Sequence, residues 1–253
     1  METLHEAAQR HFESEMLVHL RVFSPPLFAA LGEQQMRKVV HLGVGQAASH
    51  GFTCRGPVRL YLELMLLFGS YFDTDPQYPW AAEILADPDE DLQMQRAEQL
   101  YEKTIDYRQV VAGPKDAHTV ESLGNIAALL SHPLPRSFVS LEHFVSAMLR
   151  EIAILYPQKA GYVGPKGLED LIRKGIDTAQ RQNVSTVQGA ILVILLMLIF
   201  GHACASDPLY PWIFQIMTNE GAADPGTIVA RLAETTQDWI KYLLVDIEKQ
   251  TTA

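Results

Sequence analysis

Apolar residues recur at spacings of three and four along most of this chain, and we find no convincing alternation of period two. This pattern predicts amphipathic helices throughout and therefore an all-α fold. Proline and glycine mark where the helices end, because proline forbids continuation and glycine accepts left-handed backbone. The predicted helices cover residues 4–23, 34–49, 58–68, 89–110, 120–130 and 225–248.

A constant offset of 132 residues aligns 11–84 with 143–216 without a gap, with 21 identities in 74 positions. Unrelated segments of ordinary composition would share only about four or five. Beyond residue 84 the alignment needs a shift of about three residues. We therefore expect an internally duplicated protein, with two similar halves of about four to five helices related by a pseudo-twofold axis.

The expected organisation is a first helical repeat at 1–111, a connecting helix or linker at 112–138 and a second repeat at 139–253. Because the connecting segment itself looks helical, we favour one fused domain. Thr53 is the expected N-cap of helix 58–68, with Ser185 as its equivalent.

The run of apolar residues at 190–200 could be mistaken for a membrane span. Its eleven residues would extend only about 16 Å as a helix, roughly half the hydrocarbon core of a bilayer. The equivalent run at 58–68 carries Arg59, Tyr61 and Glu63. We therefore expect core helices and no membrane role.

Composition and charge narrow the function classes. With 48% apolar residues, 20% charged residues and a net charge of −10, the chain looks like a folded soluble protein. It has no run of Lys and Arg, which argues against a nucleic-acid-binding protein. The acidic net charge suits a basic protein partner. Two cysteines, Cys54 and Cys204, are too few for a disulfide framework. Together with an N-terminus unlike a secretory signal, they favour a reducing, cytoplasmic setting.

The hexapeptide Asp-Pro-x-Tyr-Pro-Trp occurs twice, at 75–80 and 207–212. Asp75 can cap a turn, Pro79 can open a helix, and Tyr78 supplies buried aromatic area. Its presence in both halves favours a structural corner over a functional surface. Asp73 lies just before it and invites a divalent-ion hypothesis, but a capped turn explains the pair of carboxylates better.

Three other patterns resemble a metal site, a phosphate-binding loop and a nucleophile–base pair, but each lacks residues that such a site needs. His11, Glu15 and His19 share one helical face, as metal ligands can, although such stripes are usually surface residues. The segments at 113–115 and 164–167 lack the context of a phosphate loop and are interpreted as turns. Cys54 near His50 lacks an orienting acid for nucleophilic catalysis. We predict no catalytic residues, no cofactor and no metal.

The segment from Phe52-Thr53-Cys54-Arg55 through Met65-Leu66-Leu67-Phe68-Gly69 to Phe72-Asp73-Thr74-Asp75-Pro76-Gln77-Tyr78-Pro79-Trp80 resembles a family of helical bacterial proteins. That family is encoded beside type VI secretion effectors and other polymorphic toxins. The resemblance covers about thirty residues and transfers no catalytic group. It implies an immunity protein that neutralises a cognate effector by stoichiometric binding, or an effector chaperone or adaptor.

The leading hypothesis is therefore a cytoplasmic protein-binding module of a toxin or secretion locus. The alternative is a helical enzyme with a site in the cleft between the halves, using His11, Glu15 or Asp73. Whether the chain forms a homodimer is left open. The halves differ at Asp73 against Ala205, Arg59 against Ile191 and His19 against Glu151, and we look there for the partner surface. The predicted partner-binding residues are Asp73, Asp75, Tyr78, Asp87, Asp89, Glu90 and Asp91.

Overall fold

A computed structural model describes residues 4–86, 88–182, 184–218 and 224–252. Within these residues the regular structure is entirely helical, with eleven α-helices and no strand, which confirms the all-α prediction. The helices are α1 Leu4–Phe23, α2 Pro25–Ser49, α3 Arg55–Phe68, α4 Pro79–Leu85, α5 Gln93–Tyr107, α6 Ala117–Leu130, α7 Leu141–Leu155, α8 Pro157–Arg181, α9 Val187–Phe200, α10 Pro211–Thr218 and α11 Pro225–Thr252.

Helices α2, α3, α4 and α5 begin 132 residues before α8, α9, α10 and α11, respectively. Helices α1 and α7 also end 132 residues apart. The shift of about three residues expected beyond residue 84 is therefore wrong for the helix that follows, since α5 and α11 begin at the same offset as the others. Helix α6 has no counterpart in this correspondence.

Helix α2 is longer than predicted, because the chain resumes a helix at Pro25 directly after α1. Pro25 opens a helix without loss, since the first amide of a helix has no intrahelical acceptor. The backbone departs from helical geometry at Gly32, with φ +73° and ψ 164°. Gly164 breaks α8 in the same way, with φ +76° and ψ 167°, so the segment at 164–167 is a kink within a helix.

Two predicted caps are displaced by one residue. Cys54 occupies the N-cap position of α3, without a side-chain hydrogen bond. At α9 the cap is Thr186, whose hydroxyl accepts a hydrogen bond from the Gly189 amide. Thr53 and Ser185 therefore precede the caps, while Gly51 has the left-handed φ of +70° expected where α2 ends.

Helix α5 is shorter than the predicted 89–110. A short turn at Glu90–Leu92 precedes it, and a π-helical turn at Arg108–Ala112 follows. The chain then reverses through Gly113, Lys115 and Asp116, which all have positive φ. This reversal directs α6 back against α7 and α11, both of which it contacts.

A buried face and two polar contacts hold α6 in place. Its buried residues are Ser122, Leu123, Ile126 and Leu130. The Thr119 and Tyr156 hydroxyls lie 3.0 Å apart where α7 ends. At the other end of α6, the Gln237 side-chain amide donates to the Ala127 carbonyl at 3.3 Å. Helix α6 is thus held across the second half of the chain.

Helix α9 forms the most buried element, with nearly every side chain inside. One buried cluster includes residues of both halves, with α9 and its counterpart α3 near its centre. Of the helices in the described residues, none has the combination of length and apolar character that crossing a bilayer requires.

Candidate functional site

The two Asp-Pro-x-Tyr-Pro-Trp loops meet at the centre of the molecule. They follow α3 and α9, whose C-terminal glycines, Gly69 and Gly201, have φ of +97° and +93°. The backbones approach so closely that a Cβ on Gly69 would lie 2.7 Å from the Phe200 carbonyl oxygen. A Cβ on Gly201 would lie 2.7 Å from the Phe68 carbonyl oxygen. Only glycine combines this positive φ with so close a contact.

Each loop places its aspartate in the opposite half. Asp207 Oδ2 accepts from the Ser70 amide at 2.7 Å, and Asp207 Oδ1 accepts from the Ser70 hydroxyl at 2.6 Å. Asp75 Oδ2 accepts from the His202 amide at 2.7 Å. Both aspartates also cap their own turns, since Asp75 Oδ1 accepts from the Gln77 amide and Asp207 Oδ1 from the Leu209 amide. The predicted capped turn is therefore confirmed.

Burial determines the electrostatics of this junction. Burial raises the pKa of Asp207, and hydrogen bonds from Ser70 and Leu209 oppose that rise. Asp75 is 2% exposed and Tyr78 is 3% exposed, so both lie in the interior. A partner contacts surface atoms, and so these two predicted partner-binding residues belong instead to internal packing.

A buried lysine lies beside this junction. Lys159 donates a hydrogen bond to the Leu198 carbonyl at 2.6 Å, and its ammonium lies 5.7 Å from the Tyr78 ring centre and 5.8 Å from that of Tyr156. Burial lowers the pKa of Lys159 to about 8, and the negative charge of Asp75 partly opposes this. Sequence reasoning missed Lys159, although the offset of 132 places it opposite Leu27 and marks it as an unusual replacement.

Asp73 belongs to a separate acid–base pair found in the first half. Its Oδ2 lies 2.9 Å from His50 Nε2, and His50 Nδ1 lies 3.1 Å from the Leu85 carbonyl oxygen. Both partners are acceptors, whereas a neutral imidazole donates from only one nitrogen. His50 therefore connects the loop at Asp73 to the backbone at the end of α4. Burial and the Asp73 charge raise the pKa of the nearby Tyr61.

The second half does not repeat this pair. At the offset of 132, the positions of His50, Asp73 and Tyr61 are taken by Gln182, Ala205 and Val193, respectively. The sequence comparison identified Asp73 as a point of divergence but related His50 only to Cys54. It could not predict that the loop at residue 73 lies against the C-terminal end of α2.

The acidic segment before α5 is at the surface. Asp89 and Asp91 are exposed, and Asp89 Oδ1 accepts from the Asp91 amide at 2.9 Å. The Arg96 guanidinium donates to the Asp89 carbonyl at 2.8 Å and so fixes the segment to α5. Asp87 lies outside the described residues, as does the side chain of Glu90. Of the predicted set, Asp89 and Asp91 are thus the exposed, described carboxylates.

The His11, Glu15 and His19 stripe does not converge on one point. His11 Nε2 lies 3.3 Å from Glu15, and Glu15 also pairs with Arg55 of α3. His19 Nε2 lies 2.7 Å from Glu63 Oε1, which also accepts from Arg59 at 2.9 Å. Across the described part of the chain, no three His, Cys, Asp or Glu side chains come together as metal ligands would.

The two cysteines differ in environment. Cys54 is exposed and Cys204 is buried. Burial, followed by the charges of Asp207 and Asp75, raises the pKa of the Cys204 thiol. Neither cysteine has a histidine among its hydrogen-bond partners in the described structure, so the Cys–His pairing considered from the sequence has no geometric support.

Comparison with known proteins gives no relationship: neither a protein family, nor a curated protein, nor a solved structure matches the chain.

Proposed function

We propose that this chain is a cytoplasmic protein-binding module of a bacterial toxin or type VI secretion locus, and that it acts as an immunity protein by stoichiometric binding. The observation that supports this is the acidic segment around Asp89 and Asp91, which is exposed and fixed to α5 by Arg96. Exposed carboxylates on an ordered support suit recognition of a basic partner surface and accelerate its association.

We further propose that the two halves derive from one helical unit and are related by a pseudo-twofold axis between Gly69 and Gly201. The common offset of the helix starts supports this, as do the reciprocal contacts of Asp75 and Asp207. In such a protein the central junction maintains the scaffold, and the positions where the halves differ are available for function.

The test is co-expression with each protein encoded beside the gene, followed by purification and measurement of the mass of any complex. We expect a complex of fixed stoichiometry. Charge reversal by Asp89→Lys with Asp91→Lys should weaken it at least tenfold, because like charges replace complementary ones. Glu234→Lys is the control, since Glu234 is exposed on α11. A complex that forms with none of these proteins, or that tolerates the double reversal, would contradict the proposal.

Two roles of such a module are separated by what co-expression does to the cell. An immunity protein restores the growth of cells that produce the toxin. A chaperone or adaptor is instead required for the effector to accumulate or to be secreted. Growth rescue together with unchanged effector levels therefore supports the immunity role.

The Asp73–His50 pair is the observation that favours an enzyme as the second candidate. A histidine hydrogen-bonded to a carboxylate can serve as a general base. Asp73 pairs with His50, not with the His11 and Glu15 expected beside it. An activity that is abolished by His50→Gln but retained by His11→Ala would support the enzyme hypothesis.

A further inference from the structure

Helix α6 covers part of the second half, and the described residues place no helix at the corresponding part of the first half. Helix α6 contacts α7 and α11, and the counterparts of these helices are α1 and α5. No described helix corresponds to α6 in the first half. The exposure of side chains on α1 and α5 can therefore be compared with that of the corresponding side chains on α7 and α11, which α6 covers.

Apolar side chains on the first half are exposed where their counterparts are covered. Phe23, at the end of α1, is 37% exposed, whereas Leu155, at the end of α7, is 4% exposed. On α5, Tyr101 is 56% exposed and Ile105 is 40% exposed. At the offset of 132, Ile105 corresponds to Gln237, the residue that hydrogen-bonds to α6.

Tyr101 and Ile105 also continue a stripe along α5. They lie four residues apart, and therefore on one face of the helix, with Glu98 one turn before Tyr101. Glu98 and Glu102 are both exposed. The apolar stripe thus has an acidic edge, which continues toward the exposed Asp91 before α5.

Helix α3 contacts both α1 and α5, and it is polar where α9 is apolar. Arg59 is half exposed, and its guanidinium donates to Glu63, which also pairs with His19. The corresponding residues of α9, Ile191 and Leu195, are buried. A helix that binds here must therefore offer polar groups as well as an apolar stripe.

We propose that Phe23, Arg59, Glu63, Tyr101 and Ile105 together form a surface, which we call the α5 groove, and that it binds an amphipathic helix with a basic polar face supplied by a protein partner. The proposal rests on the proposed function and specifies the partner's chemistry. Helix α6 shows the geometry, since it presents Leu123, Ile126 and Leu130 at spacings of three and four to the second half. The acidic edge of α5 determines the charge of the partner helix.

A peptide based on α6 provides a defined probe. It has the sequence of residues 117–131, with lysine at four of the positions that α6 exposes to solvent: Glu121, Gly124, Asn125 and Ala128. A second peptide carries glutamate at the same four positions. Fluorescence anisotropy of each labelled peptide is measured with the intact protein. We expect the basic peptide to bind at least tenfold more tightly than the acidic one.

Matched neutral variants separate the groove from general attraction to an acidic protein. The double variant Tyr101→Ala with Ile105→Ala removes two exposed apolar side chains of the groove. The control, Ile154→Ala with Phe214→Ala, removes two exposed apolar side chains on α7 and α10. Both keep the net charge. We expect binding of the basic peptide to fall at least tenfold in the groove variant and to change less than twofold in the control.

Hydrogen exchange of the wild-type complex gives a second measurement that does not depend on a variant. Protection confined to α1, α3 and α5 supports the proposal, and protection elsewhere overturns it. Equal effects of the groove and control variants, or equal binding of the two peptides, also overturn it. If an adjacent-locus partner still binds the groove variant, the proposed function stands and the α5 groove does not. If the basic peptide binds the groove but no adjacent-locus partner exists, the reverse holds.

Discussion

Lys159→Met tests how a buried charge affects the stability of this fold. The Lys159 ammonium makes a hydrogen bond to the Leu198 carbonyl, and burial lowers the pKa of Lys159 from 10.5 to about 8. One pH unit corresponds to about 1.4 kcal/mol, so burying the charge costs the folded state roughly 3 kcal/mol. Methionine has a similar length and no charge, but it gives up a hydrogen bond from a charged donor, which is worth about 2 kcal/mol. We therefore expect the variant to be more stable by roughly 1 kcal/mol at pH 7.

The pH dependence of this difference follows from linkage. Below pH 8 Lys159 is protonated in both the folded and the unfolded chain, and the full cost opposes folding. Between pH 8 and pH 10.5 the folded chain releases the proton first, so the unfolded state binds more protons and the stability of the wild type rises with pH. Above pH 10.5 the lysine is neutral in both states and the cost has gone. The advantage of the variant should therefore shrink across this interval.

The assay is urea unfolding of both proteins, followed by circular dichroism, at several pH values from 7 to 10.5. Burial raises the pKa of Tyr78 and Tyr107 in both proteins, so the contribution of these tyrosines largely cancels in the difference between them. Lys38→Met replaces an exposed lysine and is the control for the substitution itself. A Lys159→Met difference that is independent of pH, or that favours the wild type throughout, would refute the reasoning.

Three further predictions concern the central junction and the thiols. Gly69→Ala should lower the free energy of unfolding by more than about 3 kcal/mol in urea titration, because it adds a clash to a strained φ. The control Gly56→Ala meets open space and should cost less than about 1 kcal/mol. Equal costs would contradict the close approach of the two backbones. Asp75→Ala should cost about 3 kcal/mol, since it leaves buried amides of both loops without an acceptor, and a loss below about 1 kcal/mol would show that the bonds across the junction contribute little. A thiol reagent should modify Cys54 in the native protein and Cys204 only after unfolding, as counted by mass spectrometry; rapid native labelling of Cys204 would show that its surroundings open.

Some expectations remain predictions. The immunity role, the partner and the absence of catalytic chemistry derive from a resemblance of about thirty residues and from the lack of a recognisable motif. The structure bears on them indirectly: it places Asp75 and Tyr78 inside and leaves Asp89 and Asp91 on the surface. The two aspartate sets looked alike in sequence, because a carboxylate that caps a buried turn and one that faces solvent share the same local pattern.

The sequence alone predicted helices at α1 to α3, α5, α6, α9 and α11, because apolar spacing and the positions of proline and glycine act over one or two turns. This is why the C-terminal ends of α1 and α2 and the capped turn at Asp75 could be predicted. The offset of 132 also located the glycines of both junction loops. Local rules failed where two conformations compete within a few residues, as at the caps of α3 and α9 and at the kink of Gly32.

The tertiary structure decided which residues meet. Asp207 reaches Ser70 across 137 residues of chain, and His50 reaches Asp73 only because the loop after α3 folds against the end of α2. Burial depends on which helices cover a position, so Lys159 and Leu27 experience different environments despite corresponding positions. For the same reason, Tyr101 and Ile105 of α5 are exposed, whereas α6 covers parts of α7 and α11. Spacing along the chain does not predict that difference, because it arises from the packing of α6 against helices that are distant in sequence.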